Sequence, residues 1–205
     1  MPSKLRVRYI FRPLVKVIAH SLSKVGVTPN IATSIMLLFS IFSLFSLVFL
    51  SNFLLFSILV FTTGIFDGVD GEIARLTNKS TKRGAFFDST MDRISEFIIF
   101  MALLLFFWNE FLWIIDMKLI IFISFLASIM ISYTRARAEN FCKDDFDIGL
   151  MARSERLFYL VVISFISFFY NYFKLFLFIF MWLVTLTALF RFIKFKKYIK
   201  KKEIL

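Results

Sequence analysis

Four aspartates at two fixed spacings are the residues of this chain whose types could do chemistry. Asp67 and Asp70 are three residues apart, and Asp88 and Asp92 are four apart. On α-helices each pair shares one face, and packing of the two helices would gather four carboxylates at one point. Such a cluster needs a counter-charge, which hard divalent cations with oxygen ligands supply. The spacing therefore predicts a metal site suited to phosphoryl transfer, because paired metals bind both the attacking and the leaving oxygen.

The alternative for these aspartates is a set of solvated loop acids. Asp88 and Asp92 stand in a stretch that also contains Phe86, Phe87 and Met91. A carboxylate at the edge of an apolar membrane helix is costly without a partner, a cation or water. The apolar surroundings therefore favour a functional site.

Small and basic residues accompany the first pair of aspartates. Gly71 and Ala74 would leave space beside them for a ligand. Arg75 could be a snorkelling residue at the end of a span, or it could bind phosphate oxygens with its guanidinium fork. Its position beside four aspartates favours the anion binder.

The composition indicates which elements must position these residues. The chain has 205 residues, of which 60% are hydrophobic and 31 are Phe. A soluble domain is usually about half apolar, and several windows here approach the length of about 20 apolar residues that crosses a bilayer. We therefore predict an all-α integral membrane protein whose single domain covers residues 1–205. The one cysteine, Cys142, excludes an internal disulfide framework and a thiolate metal cluster.

The distribution of positive charge predicts the orientation in the membrane. The net charge is +11, and of 25 Lys and Arg residues only Lys118 and Lys174 lie outside four basic segments. These segments are the N-terminal arm, residues 75–93, residues 135–156 and the C-terminal tail. By the positive-inside rule, both termini and the aspartates lie on the cytoplasmic side of the cell membrane. Nucleic-acid binding is disfavoured, because no soluble part remains to carry a basic surface.

An interfacial helix and six transmembrane helices are predicted along the chain. Residues 4–25 alternate basic and apolar residues at helical spacing, with Leu14, Val17 and Leu22 on one apolar stripe. This pattern is typical of an amphipathic helix on an anionic leaflet, whose start Pro13 would kink or delay. Thr28 is a candidate N-cap for the first span. The predicted spans are 31–50, 53–76, 84–108, 118–139, 151–170 and 173–192, followed by a basic tail at the membrane surface.

The spacing of the site residues resembles a known signature. The pattern Asp67-x2-Asp70-Gly71-x2-Ala74-Arg75-x8-Gly84-x3-Asp88-x3-Asp92 is similar to that of the CDP-alcohol phosphatidyltransferases. The resemblance implies a membrane enzyme with two Mg²⁺ or Mn²⁺ ions, whose ligands would be Asp67, Asp70, Asp88 and Asp92. It also implies that Asp92 is the general base that deprotonates the acceptor hydroxyl, and that the enzyme is a homodimer. The residues implied to bind the CDP-lipid are Pro29, Asn30, Ile31, Ala32, Gly71, Ala74, Arg75 and Thr81.

Two arginine-containing stretches bear on the acceptor. Residues 132–139 and 151–157 would face the same cytoplasmic mouth as the aspartates. Positive-inside topology with local Arg137–Glu139 and Arg153–Glu155 neutralisation explains them, and so does a pocket for a phosphorylated alcohol. The stretches resemble the phosphatidylinositol-phosphate synthase branch and its archaeal counterpart. That resemblance implies an inositol phosphate acceptor whose phosphate is held by Arg135, Arg153 and Arg191.

Other acceptors and another class of protein stay open at this point. Glu72 and Met151-Ala152 differ from the residues that are usual at these positions in that branch. The same segment also resembles the di-myo-inositol phosphate phosphate synthases, which use CDP-inositol, and glycerol phosphate is a third acceptor. A cation channel or transporter would need polar residues to continue across spans two and three. Residues 53–60 and 98–108 are nearly all apolar, which argues against such a path.

Overall fold

The computed structural model describes residues 7–141 and 148–203, which form an almost entirely helical fold. Two short strands, β1 (Phe111–Leu112) and β2 (Ile115–Asp116), pair antiparallel in the loop that was predicted at 109–117. The start of the predicted interfacial helix, residues 4–6, and Cys142 lie outside the described residues. The helices of the described ranges are α1 (Val7–Ile10), α2 (Arg12–Lys24), α3 (Pro29–Val48), α4 (Phe53–Leu76), α5 (Lys82–Phe106), α6 (Met117–Phe141), α7 (Arg153–Phe169) and α8 (Phe173–Glu203).

Side-chain caps explain where three of the long helices begin. An N-cap side-chain oxygen accepts a hydrogen bond from a backbone N–H that has no partner within the helix. The predicted cap at Thr28 is present, and Pro29 follows it in the first turn of α3. The other two are Asn52, whose Oδ1 accepts from the Leu55 amide at 2.9 Å, and Thr81, whose Oγ1 accepts from the Gly84 amide at 3.0 Å.

Within residues 7–141 and 148–203, four helices are long and apolar enough to cross a membrane: α3, α4, α6 and residues Phe173–Ile199 of α8. The protein is therefore a multi-pass membrane protein. Helix α7 has only 17 residues, and α5 carries Asp92, Arg93 and Glu96 near its middle. The predicted count of six spans stays a prediction. Helix α8 continues to Glu203, beyond the predicted end at residue 192.

The packing of the helices separates a polar end from an apolar end. Helix α3 packs on α4 and α5, α4 packs on α7, and α6 packs on α8. The largest apolar cluster includes Phe56 at the start of α4, Leu103 at the end of α5, and Phe180 of α8. Because α4 and α5 run in opposite directions from the connection at 77–81, their aspartates lie at the other end of these two helices from Phe56 and Leu103.

Helix α2 lies against α4, and α1 lies against α7. Pro13 is in the first turn of α2 and separates it from α1, because its missing N–H is tolerated only there. Ala19 is buried and Leu22 partly buried against Ile65, Val69 and Ile73 of α4. Leu14 and Val17 are exposed. The single apolar stripe that was predicted is therefore divided between two faces, one on α4 and one open.

Candidate active site

The end of α4 and the start of α5 bring the four aspartates together. Asp67, Asp88 and Asp92 each offer one carboxylate oxygen, and these three atoms lie within 4.8 Å of one another. Asp70 is buried, accepts a hydrogen bond from Thr33 Oγ1 at 2.7 Å and lies beside Asp88. The convergence expected from the two spacings is present in the structure.

The donor set of the cluster fits a hard divalent cation. All ligand atoms are carboxylate oxygens, which Mg²⁺ and Mn²⁺ prefer over nitrogen and sulfur. Three like charges within 4.8 Å repel one another unless a cation lies near them. Asp67, Asp88 and Asp92, with Asp70 beside Asp88, could therefore hold metal.

Arg153 reaches this cluster from the first turn of α7. Its guanidinium contacts the carboxylates of Asp67 and Asp92 and donates to Ser95 Oγ at 2.8 Å. The expected Arg153–Glu155 neutralisation is absent, because the N-terminus of α7 points the arginine across the site toward α4 and α5. Of the arginines expected to bind the acceptor phosphate, Arg153 lies against the aspartates.

The other two arginines of that set lie elsewhere. Arg135 pairs with Glu139, one turn along α6, at 2.7 Å, so the expected Arg137–Glu139 pair does not form. Arg191 of α8 is 2% exposed and donates to the backbone oxygen of Ile131 at 3.1 Å. Neither role toward an acceptor follows from these contacts, and both stay predictions.

A cleft of about 430 Å³ lies on one side of the aspartates. It is bounded by the first turn of α3, the end of α4, the connection at 77–81 and the start of α5. Ile31 and Ala32 lie outside this lining: Ile31 is exposed, and Ala32 is buried in the apolar contact with α2 and α4. The expected CDP-lipid residues that do line it are Pro29, Asn30, Gly71, Ala74, Arg75 and Thr81.

A second cleft of about 480 Å³ lies between the N-terminal helices, α4 and α7. Its lining includes the polar residues Arg8, Arg12 and Asp67 and the apolar residues Phe61 and Leu157. The sequence did not indicate this cleft, because how closely the N-terminal helices, α4 and α7 approach one another cannot be read from any one of these segments.

Arg75 lines both clefts. Its Nε and Nη2 donate to Glu72 Oε2 at 3.1 and 2.5 Å. A Cβ atom built on Gly71 would lie 3.7 Å from Arg75 Nη1, which is an ordinary van der Waals contact, so the guanidinium does not by itself require a glycine there. Glu72, which differs from the residue usual at that position of the signature, therefore accepts hydrogen bonds from Arg75, the arginine that was expected to bind phosphate.

Two further features were missed at the level of sequence. Thr33 carries no motif signal, since its contact with Asp70 depends on how α3 crosses α4. Glu96 and Arg156 form a fully buried ion pair between α5 and α7. Their signal was the presence of two opposite charges inside apolar segments, where ionisable residues are expensive and need a partner.

Comparison with known proteins agrees with the fold and with the family that the sequence resembles. A model of the CDP-alcohol phosphatidyltransferase family matches residues 26–193. Archaetidylinositol phosphate synthase from Pyrococcus horikoshii is 33% identical over 175 residues, which cover 85% of this chain and 86% of that protein. Phosphatidylinositol phosphate synthase from Mycobacterium tuberculosis is 34% identical over 152 residues, covering 73% of this chain and 68% of that protein.

Solved structures of a Mycobacterium tuberculosis phosphatidylinositol phosphate synthase have the same fold. The structure with CDP-DAG bound superposes with a TM-score of 0.76 and 26% identity, and covers 89% of this chain and 94% of that one. The complex with manganese and citrate gives a TM-score of 0.77 at 26% identity, with 88% of each chain covered. A match over most of the chain, together with the intact aspartate pattern and its convergence in space, shows that this chain is an enzyme of the CDP-alcohol phosphatidyltransferase family.

Proposed function

We propose that this enzyme transfers the diradylglycerol phosphate of a CDP-lipid to inositol phosphate and releases CMP. The observation that carries the proposal is the position of Arg153, which contacts Asp67 and Asp92 from the first turn of α7. A guanidinium there is suited to a phosphate on the acceptor. The names of the relatives support the same acceptor, since two of them are inositol-phosphate-type synthases.

The donor's CDP group would bind in the cleft of about 430 Å³. Arg75 at its edge would pair with the diphosphate, while Gly71, Ala74 and Thr81 would lie along the nucleotide. Ile31 and Ala32 would act only by supporting the turn at Pro29 and Asn30, because they do not face the cleft.

Asp67, Asp70, Asp88 and Asp92 would hold two Mg²⁺ or Mn²⁺ ions. Ions bound there would offset the negative charge of the diphosphate and of the departing CMP. The proximity of the four carboxylates supports this assignment, as does the manganese complex of the mycobacterial relative.

Asp92 would act as the general base. The acceptor hydroxyl oxygen forms a bond to the phosphorus of the lipid phosphate, the bond from that phosphorus to the CMP oxygen breaks, and the hydroxyl proton passes to the Asp92 carboxylate. Asp92 is 9% exposed and in contact with Arg153, so a phosphate bound by that arginine would place the acceptor within reach of the carboxylate. Arg135 and Arg191 would complete the basic side of the acceptor pocket.

Release of CMP from CDP-lipid, measured with a panel of acceptors, tests this proposal. We expect CMP with inositol phosphate and Mg²⁺, and little with glycerol phosphate or unphosphorylated inositol. Release with glycerol phosphate alone would assign the enzyme to the phosphatidylglycerophosphate type. Turnover only with CDP-inositol would instead assign it to the di-myo-inositol phosphate phosphate synthases.

We propose further that α3 to α8 are six membrane spans with both termini and the aspartates in the cytoplasm. Helix α5 has 25 residues, or about 37 Å, which exceeds a hydrocarbon core of about 30 Å. The chain must also return from the connection at 77–81 to the β1–β2 hairpin, which starts α6 at the other end of the bundle. The exposed Leu14–Val17 face supports α2 as the helix at the interface.

Cysteine labelling in closed vesicles tests the orientation. On a Cys142→Ser background, Ile114→Cys in the hairpin should react with an impermeant reagent from outside, and Asn78→Cys should react only after permeabilisation. Reaction of both from one side would contradict six spans. The homodimer implied by the family resemblance is tested separately, by light scattering of the detergent-solubilised protein at several concentrations.

A further inference from the structure

Arg156 and Glu96 form a fork-shaped ion pair that the proposed chemistry does not use. Nε and Nη2 of Arg156 donate to Oε1 and Oε2 of Glu96 at 2.7 and 2.9 Å. Both side chains are 1% exposed. Two parallel hydrogen bonds between planar groups fix orientation as well as distance.

The same guanidinium joins two more parts of the bundle. Nη1 of Arg156 donates to the backbone oxygen of Met151 at 3.0 Å, and Nη2 lies 3.4 Å from Ser132 Oγ of α6. Met151 belongs to the segment just before α7. The guanidinium therefore connects α5, α6 and the start of α7 at one buried point.

Arg153 lies one turn before Arg156 on the same face of α7. Its Nη2 donates to Ser95 Oγ at 2.8 Å, and Ser95 is next to Glu96 on α5. Ser95 and Glu96, which are neighbours on α5, thus accept hydrogen bonds from Arg153 and Arg156, which lie one turn apart on the same face of α7. Any rotation or axial slide of α7 against α5 would move both guanidinium groups together.

We propose that Glu96 and Arg156 are positioning residues, which set the depth and rotation of the first turn of α7 so that Arg153 faces the aspartates. This proposal rests on the proposed function, in which Arg153 binds the acceptor phosphate. The pair adds no net charge, because Glu96 neutralises Arg156, so the positive charge offered to the acceptor at this face is that of Arg153.

An apolar contact at this place would not do the same work. Apolar side chains pack without direction, whereas a forked ion pair permits one relative orientation. Replacing a whole buried ion pair by apolar residues of similar size often leaves stability unchanged or increased. The positioning role can therefore be separated from a purely structural one.

The test uses the double variant Glu96→Met/Arg156→Met, with Ser164→Ala as the matched control. Ser164 is a buried polar residue of the same helix, and its hydroxyl donates within α7 to the Leu160 oxygen. We expect the double variant to fold and to bind CDP-lipid with a KM within about twofold of the parent. Its kcat/KM for inositol phosphate should fall roughly ten- to a hundredfold, the scale of loss from a displaced contact group. The control should change neither value.

Two single variants make the outcome decisive. Arg153→Lys should raise the KM for inositol phosphate; if it does not, the acceptor role of Arg153 fails and the positioning proposal fails with it, while CMP release by the unaltered enzyme with the acceptor panel still decides the proposed function. Arg156→Lys keeps the charge but loses the fork, and should show part of the double variant's defect toward the acceptor. If Arg153→Lys has its effect while folded Arg156→Lys and the double variant have wild-type acceptor kinetics, the positioning proposal is overturned. Loss of the folded state in both would overturn it too, since the pair would then be a requirement of the fold.

Discussion

The aspartate cluster and the Glu96–Arg156 pair are two charged regions to which α5 contributes, little more than one turn apart along that helix, and they are built in opposite ways. The cluster carries four carboxylates and meets two arginines, Arg153 and the partly exposed Arg93. The pair has one carboxylate, one guanidinium and matched hydrogen bonds. Surplus charge of one sign, open to a cleft, marks a place for a ligand. Matched charge without exposure marks a part of the scaffold that positions it.

Of the changes that distinguish the two regions, removal of divalent metal should have the largest effect on activity. Chelation is expected to abolish CMP release, because the aspartate cluster, unlike the Glu96–Arg156 pair, has more carboxylates than cationic side chains. Addition of Mg²⁺ or Mn²⁺ should restore CMP release. As an independent readout, Mn²⁺ at about 100 times its Kd should stabilise the folded enzyme by about 2.7 kcal/mol. Asp88→Asn should lose this thermal shift, while Asp116→Asn in the distant hairpin should keep it. An unchanged shift in Asp88→Asn would remove Asp88 from the metal site.

Substitution of the proposed base comes next. Asp92→Asn should reduce turnover roughly 10²- to 10⁴-fold, the usual contribution of a positioned acid or base, while CDP-lipid binding survives. Turnover with saturating acceptor and direct binding of the donor are the two measurements. A variant that retains normal turnover would show that another group takes the proton.

Breaking the buried pair should change stability more than chemistry. Glu96→Gln leaves the Arg156 charge buried without its counter-ion, so we expect a loss of about 3–5 kcal/mol in the free energy of unfolding. Thermal unfolding in detergent, compared with Ser164→Ala, measures it. A loss below about 1 kcal/mol in the free energy of unfolding would mean that other groups neutralise Arg156. The ion pair and the aspartate cluster would then differ less than their contacts suggest.

The smallest expected effect concerns Glu72 and Arg75. The Arg75 side chain is 65% exposed, and ion pairs open to solvent contribute about 0–1 kcal/mol. Glu72→Gln should therefore leave stability unchanged and lower the KM for CDP-lipid by no more than about fivefold, as Arg75 is freed for the donor's diphosphate. A raised KM would show that Glu72 orients Arg75 for the donor instead of competing with it.

Much of the site could be predicted because its spacing is local. Asp67 and Asp70 must share a helix face, and so must Asp88 and Asp92, whatever the helices pack against. Because the connection at 77–81 is short, α4 and α5 must run antiparallel, which places their aspartates at the same end. Ile31 and Ala32 show where such local reasoning ends. They were predicted to bind the CDP-lipid together with Pro29 and Asn30, but successive residues of a helix point in different directions, and these two do not line the cleft.

The sequence by itself determined the class of fold, the positions of the long helices and the convergence of the four aspartates, since these follow from apolar runs, caps and helical periodicity. Only the tertiary structure decided which distant residues complete the site. Thr33 bonds Asp70 from 37 residues away, Arg156 meets Glu96 across 60 residues, and Arg153 meets Asp67 across 86. Such contacts depend on how helices cross, and the crossing depends on the side-chain packing of all the helices together.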